Sequence, residues 1–96
     1  MAAPPAVPPA PLVVFPNPFR PSQGHFDVTI VNLPADGMVR VYTMTGELVL
    51  SGRANATGIF IWDATNQEGK NVASGVYGLT VESGGSLQKT KIVVQR

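Results

Sequence analysis

IFIWDATNQEGKNVASGVYGLTV, residues 59–81, is the stretch on which the fold turns. An apolar run ends in the only tryptophan, Trp62; a polar segment with Gly69 follows, and a second apolar run opens at Gly75. Phe60 and Trp62 share one face of the first run, and Tyr77, Leu79 and Val81 share one face of the second. Alternation with a period of two marks a strand buried on one side. The stretch therefore predicts two strands joined by an elaborate loop, with the largest side chain planted at the junction.

Upstream, residues 26–33 (FDVTIVNL) set Phe26, Val28 and Ile30 against Asp27 and Thr29, again a half-buried strand. Pro34-Ala35-Asp36-Gly37 is turn chemistry. Residues 38–42 place Val39 and Val41 opposite Arg40 and Tyr42; residues 43–46 break the run, and residues 47–50 resume it. Gly46 suits the left-handed position of a tight hairpin with a bulge. Residues 52–58 are small and polar, hence loop. Downstream, Gly84-Gly85 turns the chain and residues 87–94 close the domain. Before all of these, residues 12–15 form an apolar run stopped by Pro16-Asn17-Pro18, which restricts it to an edge strand or strap. Phe19, between Pro18 and Pro21, is placed to fold back as a plug on one end.

Seven strands, regular turn signals and no helical periodicity predict an all-β fold, an antiparallel sandwich of about seven strands. Its expected core is Phe26, Val28, Ile30, Val39, Val41, Phe60, Trp62, Tyr77, Leu79 and Val81. The chain has no cysteine, so there is no disulfide, and Trp62 must fill the core without one beside it. The domain spans residues 12–96. Residues 1–11 (MAAPPAVPPAP) are almost all proline and alanine, a composition that favours extended polyproline II and reads as a semi-rigid linker.

Charge is sparse and balanced, seven Lys and Arg against six Asp and Glu in 96 residues. That leaves no basic face able to neutralise several phosphates, so nucleic acid is not an expected partner. No apolar run approaches the roughly 20 residues of a spanning helix.

The candidate constellations are few. Asp63, Asn66 and Glu68 precede Gly69 and offer oxygens, but in D-x-x-N-x-E-G order rather than the alternate spacing of a calcium loop. They are weak metal candidates, and an Asx-type turn accounts for them. His25 is the only histidine, too few for a zinc site, and no G-x-S-x-G occurs. No catalytic constellation and no cofactor are expected, so the chain is not read as an enzyme. Asn55-Ala56-Thr57 matches a glycosylation sequon and marks a surface loop. Lys89, Lys91 and Arg96 give the last strand a basic face. The ordinary reading is a solvated edge strand whose lysines discourage edge-to-edge pairing; the sharper one is a recognition surface.

Four segments, in order, resemble a family. FPNPFRPS (residues 15–22) is similar to the "YPNPF-P" opening of bacterial Ig-like C-terminal modules. VRVYTMTGELV (residues 39–49) resembles their "V-IYD--G--V" hairpin. IWDATNQEGKNVASGVYGLTV (residues 61–81) is similar to their "WDG---G--V-SGVY" core, and KTKIVVQR (residues 89–96) resembles their "K-K-VV-R" close. The resemblance is to the Ig-like domain of flagellar hook-capping proteins and, more closely, to the type A C-terminal sorting domains of the type nine secretion system. It implies an Ig-like sandwich, C-terminal in a secreted or cell-surface bacterial protein and exported through the periplasm. It implies sorting or anchoring at the outer membrane, with secretion machinery or neighbouring domains as protein partner and Lys89, Lys91, Val93 and Val94 as the recognition surface. An accessory spacer like the hook-capping domain is the second reading, favoured by the long loop after Trp62. Carbohydrate binding ranks third, with Tyr42 its one candidate aromatic. Two positions depart from the pattern: Thr43 stands where the hairpin has aspartate, and Ala64 where glycine follows Trp-Asp. Oligomeric state is open, because an edge strand after a linker can swap between chains.

Overall fold

Pairing, more than hydrophobicity, decides where each strand begins and ends. The computed structural model describes residues 11–96. Seven strands run in chain order: β1 (Val13–Phe15), β2 (Val28–Val31), β3 (Met38–Thr43), β4 (Leu48–Arg53), β5 (Phe60–Trp62), β6 (Gly75–Ser83) and β7 (Ser86–Val94). They form one sheet in the order β1-β2-β5 and a second in the order β4-β3-β6-β7, with every strand pair antiparallel. This is the sandwich the alternation predicts. Residues 1–10, most of the predicted linker, lie outside the described residues; Pro11 already has its carbonyl held by the Asn32 side-chain amide at 3.0 Å.

The core lies between the sheets. Val28 and Ile30 of β2, Val39 and Val41 of β3, Trp62 of β5 and Tyr77, Leu79 and Val81 of β6 are all buried. Ile92 and Val94 of β7, with Leu33, Val49, Ala54, Ala64 and Val72, join them. Phe60 is half-buried and packs against this cluster from the β5 side. Its ring crosses to Gly52 of β4, where a Cβ would stand 2.7 Å from Cε1. Gly52, a loop residue by its sequence context, is therefore a strand residue whose missing side chain lets an aromatic ring approach.

Phe26 corrects the expected core. It is 87% exposed. The apolar alternation runs two residues past the sheet: β1 pairs only with Thr29 to Val31 and β5 only with Val28 to Ile30, so no neighbour holds Phe26 in register. Phe19 supplies the buried phenylalanine instead, at 1% exposure. The plug predicted at the sandwich end is a full core residue.

The β3–β4 hairpin shows what replaces the aspartate. Gly46 sits at φ +93° and donates its N–H to the Thr43 carbonyl at 3.0 Å, the left-handed turn position expected of it. The register shift lies further along, where Val41 pairs with Leu50 and Tyr42 with Leu48, and Val49 is the extra residue. The Thr43 hydroxyl accepts from the Glu47 N–H at 3.0 Å, so a hydroxyl does the carboxylate's work in the turn. Two other loops share one device. Asn55 Oδ1 accepts from the N–H groups of Thr57 and Ile59, and Asn66 Oδ1 from those of Glu68 and Lys70, each at 2.9–3.0 Å. Each asparagine is followed three residues on by a left-handed glycine, Gly58 at φ +76° and Gly69 at φ +79°. An Asx turn closed by glycine is the physical content of both N-x-x-G segments.

Candidate recognition surface

Strand β7 pairs with β6 without interruption from Ser86↔Ser83 to Val94↔Gly75. Its side chains alternate, so Ile92 and Val94 enter the core while Leu87, Lys89, Lys91 and Val93 face outward. Lys89 and Lys91 are exposed, and Val93 is half-buried beside its cross-strand partner Val76. Val94 is 1% exposed and cannot belong to an outer recognition surface; the period of two puts it on the opposite face from its neighbour. The outward row continues across the sheet through Thr80 to Arg40, which pairs with Glu82 at 3.3 Å. Among the described residues neither Lys89 nor Lys91 has a carboxylate within ion-pair distance. Tyr42 lies on this face, half-buried, opposite Gly78. The exposed phenylalanine Phe15 belongs to β1 in the other sheet, so the two do not form the aromatic row that a sugar-binding platform needs.

Half of β7 is clamped by the Pro-Asn-Pro-Phe strap. Asn17 lends its side chain as a short substitute strand: Oδ1 accepts from the Val93 N–H at 2.9 Å, and Nδ2 donates to the Lys91 carbonyl at 3.3 Å. Phe19 follows with a parallel bridge to Val94, its N–H donating to the Val93 carbonyl at 2.7 Å and its carbonyl accepting from the Gln95 N–H at 2.8 Å. Arg20 Nε donates to the Gln95 side-chain oxygen at 2.8 Å. His25, by sequence an ordinary strand-end residue, accepts the Arg20 N–H on Nδ1 at 2.9 Å and so holds the strap in turn. In the sequence Asn17 shows only as part of a strand breaker, because proline on both sides conceals a residue that binds through its side chain.

The long loop secures the other side. Trp62 Nε1 donates to the Thr65 carbonyl at 2.8 Å, and its ring meets Tyr77 edge-on at 5.7 Å and 69°. The Tyr77 hydroxyl donates to the Ala73 carbonyl at 2.6 Å, so the two core aromatics pin the loop at both ends. Ala64 and Val72 turn carbonyls toward Arg96, whose guanidinium donates to both, and the Arg96 N–H donates to the Ser74 hydroxyl. The metal candidates are otherwise employed: the Asp63 carboxylate accepts from the Thr65 hydroxyl, Asn66 builds the Asx turn, and Glu68 pairs with Lys70. Residues 91–96 are therefore held by the strap on one side and the loop on the other, while Lys89 is paired with β6 alone.

A family model described as the secretion system C-terminal sorting domain matches residues 13–95. PorZ, an essential bacterial surface component of the type-IX secretion system of Porphyromonas gingivalis, is similar in structure with a TM-score of 0.76. It shares 32% sequence identity, over 88% of this chain and 11% of that one. Dimeric latent PorU from the same organism gives a TM-score of 0.50 at 29% identity, over 88% of this chain and 9% of that one. This chain thus spans about a tenth of the length of either structure. No curated protein matches.

Proposed function

The chain belongs to the family of secretion system C-terminal sorting domains, and we propose that it serves as a folded, non-catalytic tag that the type-IX machinery reads at β7. Sorting for type-IX secretion is the function of the family, and it carries the chain to the cell surface or outer-membrane region. The finer reading concerns where the tag is read. The observation that carries it is the outward row of β7: Lys89 and Lys91 face outward without a carboxylate partner among the described residues, while the backbone from Lys91 onward is bonded by Asn17, Phe19 and the Arg96 contacts. A surface held this firmly presents one geometry to a receptor and loses little conformational entropy on binding. The lysines add steering toward an acidic partner. In this account the passenger is whatever precedes the domain, and the domain itself contributes no chemistry. Its one histidine is spent on the strap, and its loop carboxylates on local turns and a surface pair.

The test is a periplasm-directed fluorescent reporter carrying residues 12–96 at its C-terminus, compared with a Lys89→Glu/Lys91→Glu version in a host with the type-IX machine. Both substitutions are at exposed positions, where the expected change in stability is within about 0.5 kcal/mol each. The expected result is periplasmic retention of the reversed version. Undiminished export would move the recognition surface elsewhere on the domain.

A further inference from the structure

We propose that the open half of the β7 edge takes up an extended segment of the secretion machinery as an added strand, with an acidic side chain beside Lys89 and an apolar one beside Leu87. The inference rests on the sorting function above and deepens it by naming the mode of capture.

Three observations carry it. The first is direction. Both backbone groups of Val93 point away from β6, since they bond Asn17 and Phe19. The β6–β7 register is unbroken, and in an antiparallel ladder the outward-pointing groups recur every second residue. Leu87 and Lys89 therefore turn their N–H and C=O outward too, and among the described residues no backbone group bonds them there.

The second is continuity. The strap already shows that this edge accepts a neighbour, but it covers only the end from Lys91 onward. Residues 86–90 remain open, about 17 Å of strand, enough for a five-residue segment.

The third is chemistry. Leu87 is 55% exposed at the start of this edge, where a protected edge would carry a charge or a bulge. Lys89 and Lys91 lie further along the same outward row. A second copy of this chain added in register would bring lysine against lysine, which is destabilising across strands. An acidic strand meets the same row favourably. The lysines thus disfavour in-register self-pairing and favour an acidic partner.

Lys89→Pro is the direct test in the reporter fusion, because proline deletes the outward N–H while β6 loses no hydrogen bond. Leu87→Pro is the second variant, nearer the hairpin turn, for use if the first melts appreciably below the parent. Expected is a loss of machine-dependent export of at least about tenfold at an unchanged melting temperature. Export of either folded proline variant at the parent level would overturn the added strand. It would leave sorting itself untouched, since sorting fails only if the unsubstituted fusion is not exported. A concentration-dependent dimer of the purified chain that Lys89→Pro converts to monomer would also overturn the proposal, because the edge would then belong to a second copy.

Discussion

Replacing Trp62 by phenylalanine separates the tryptophan's packing from its hold on the long loop. The indole is 1% exposed, donates Nε1–H to the Thr65 carbonyl at 2.8 Å and meets Tyr77 edge-on at 5.7 Å. Phenylalanine keeps an aromatic ring beside Tyr77 but loses the donor, worth about 1 kcal/mol net. It also leaves a void of about 40 Å³, which at roughly 24 cal/mol per Å³ costs about 1 kcal/mol more. The sum is about 2 kcal/mol, a fall in melting temperature of about 8–16 °C for a domain of this size. Trp62→Ala empties the site and costs about 3–5 kcal/mol, a large part of what a domain of this size has to lose. Thermal unfolding by far-ultraviolet circular dichroism is the suitable assay, since the substitution removes the fluorophore. A fall of less than about 3 °C for Trp62→Phe would refute both the burial and the Thr65 bond as significant terms.

Phe26→Ser should change stability by less than about 0.5 kcal/mol, since the ring is 87% exposed; a loss near 3 kcal/mol by urea denaturation would return it to the core. Gly58→Ala should cost about 2 kcal/mol or more, because residue 58 sits at φ +76° and a Cβ would come within 2.3 Å of the Leu33 carbonyl oxygen. An unchanged midpoint would show that the loop re-forms without that approach. Asn17→Ala should leave the melting temperature within about 1 kcal/mol equivalent while hydrogen exchange at the Val93 amide rises, because its partner at 2.9 Å is removed. Protection as in the parent would mean that the strap does not hold β7.

Most of the fold was legible because a period of two survives wherever one face is buried. Residues 38–42, 59–62 and 76–81 matched β3, β5 and β6 to within two residues at either end. Failures came where pattern and pairing part company. Phe26 continues the alternation of β2 but has no neighbouring strand to pair with. Gly52 and Arg53 look like loop yet pair with β3, since a glycine beneath Phe60 reads as a breaker in one dimension. Ala64, buried and left-handed at φ +59°, stands where the resembling motif has glycine, and sequence shows the exchange without showing that the backbone geometry is kept. The outward lysines of β7 were legible from alternation, which should also have removed Val94 from that face. The Asn17 clamp and the Arg96 contacts were not legible, because each joins segments more than 20 residues apart through side-chain hydrogen bonds that leave no periodic trace. The long loop after Trp62 points toward a spacer role, but the sorting-domain match runs straight through it.

The central claim is that residues 12–96 suffice as a folded sorting tag, and its most direct test is the destination of the unsubstituted reporter fusion in two hosts that differ only in the type-IX machine. Fluorescence is expected at the cell surface or in the medium only where the machine is present, and is expected to be lost when residues 89–96 are deleted. Periplasmic retention in both hosts, with the domain folded, would contradict it.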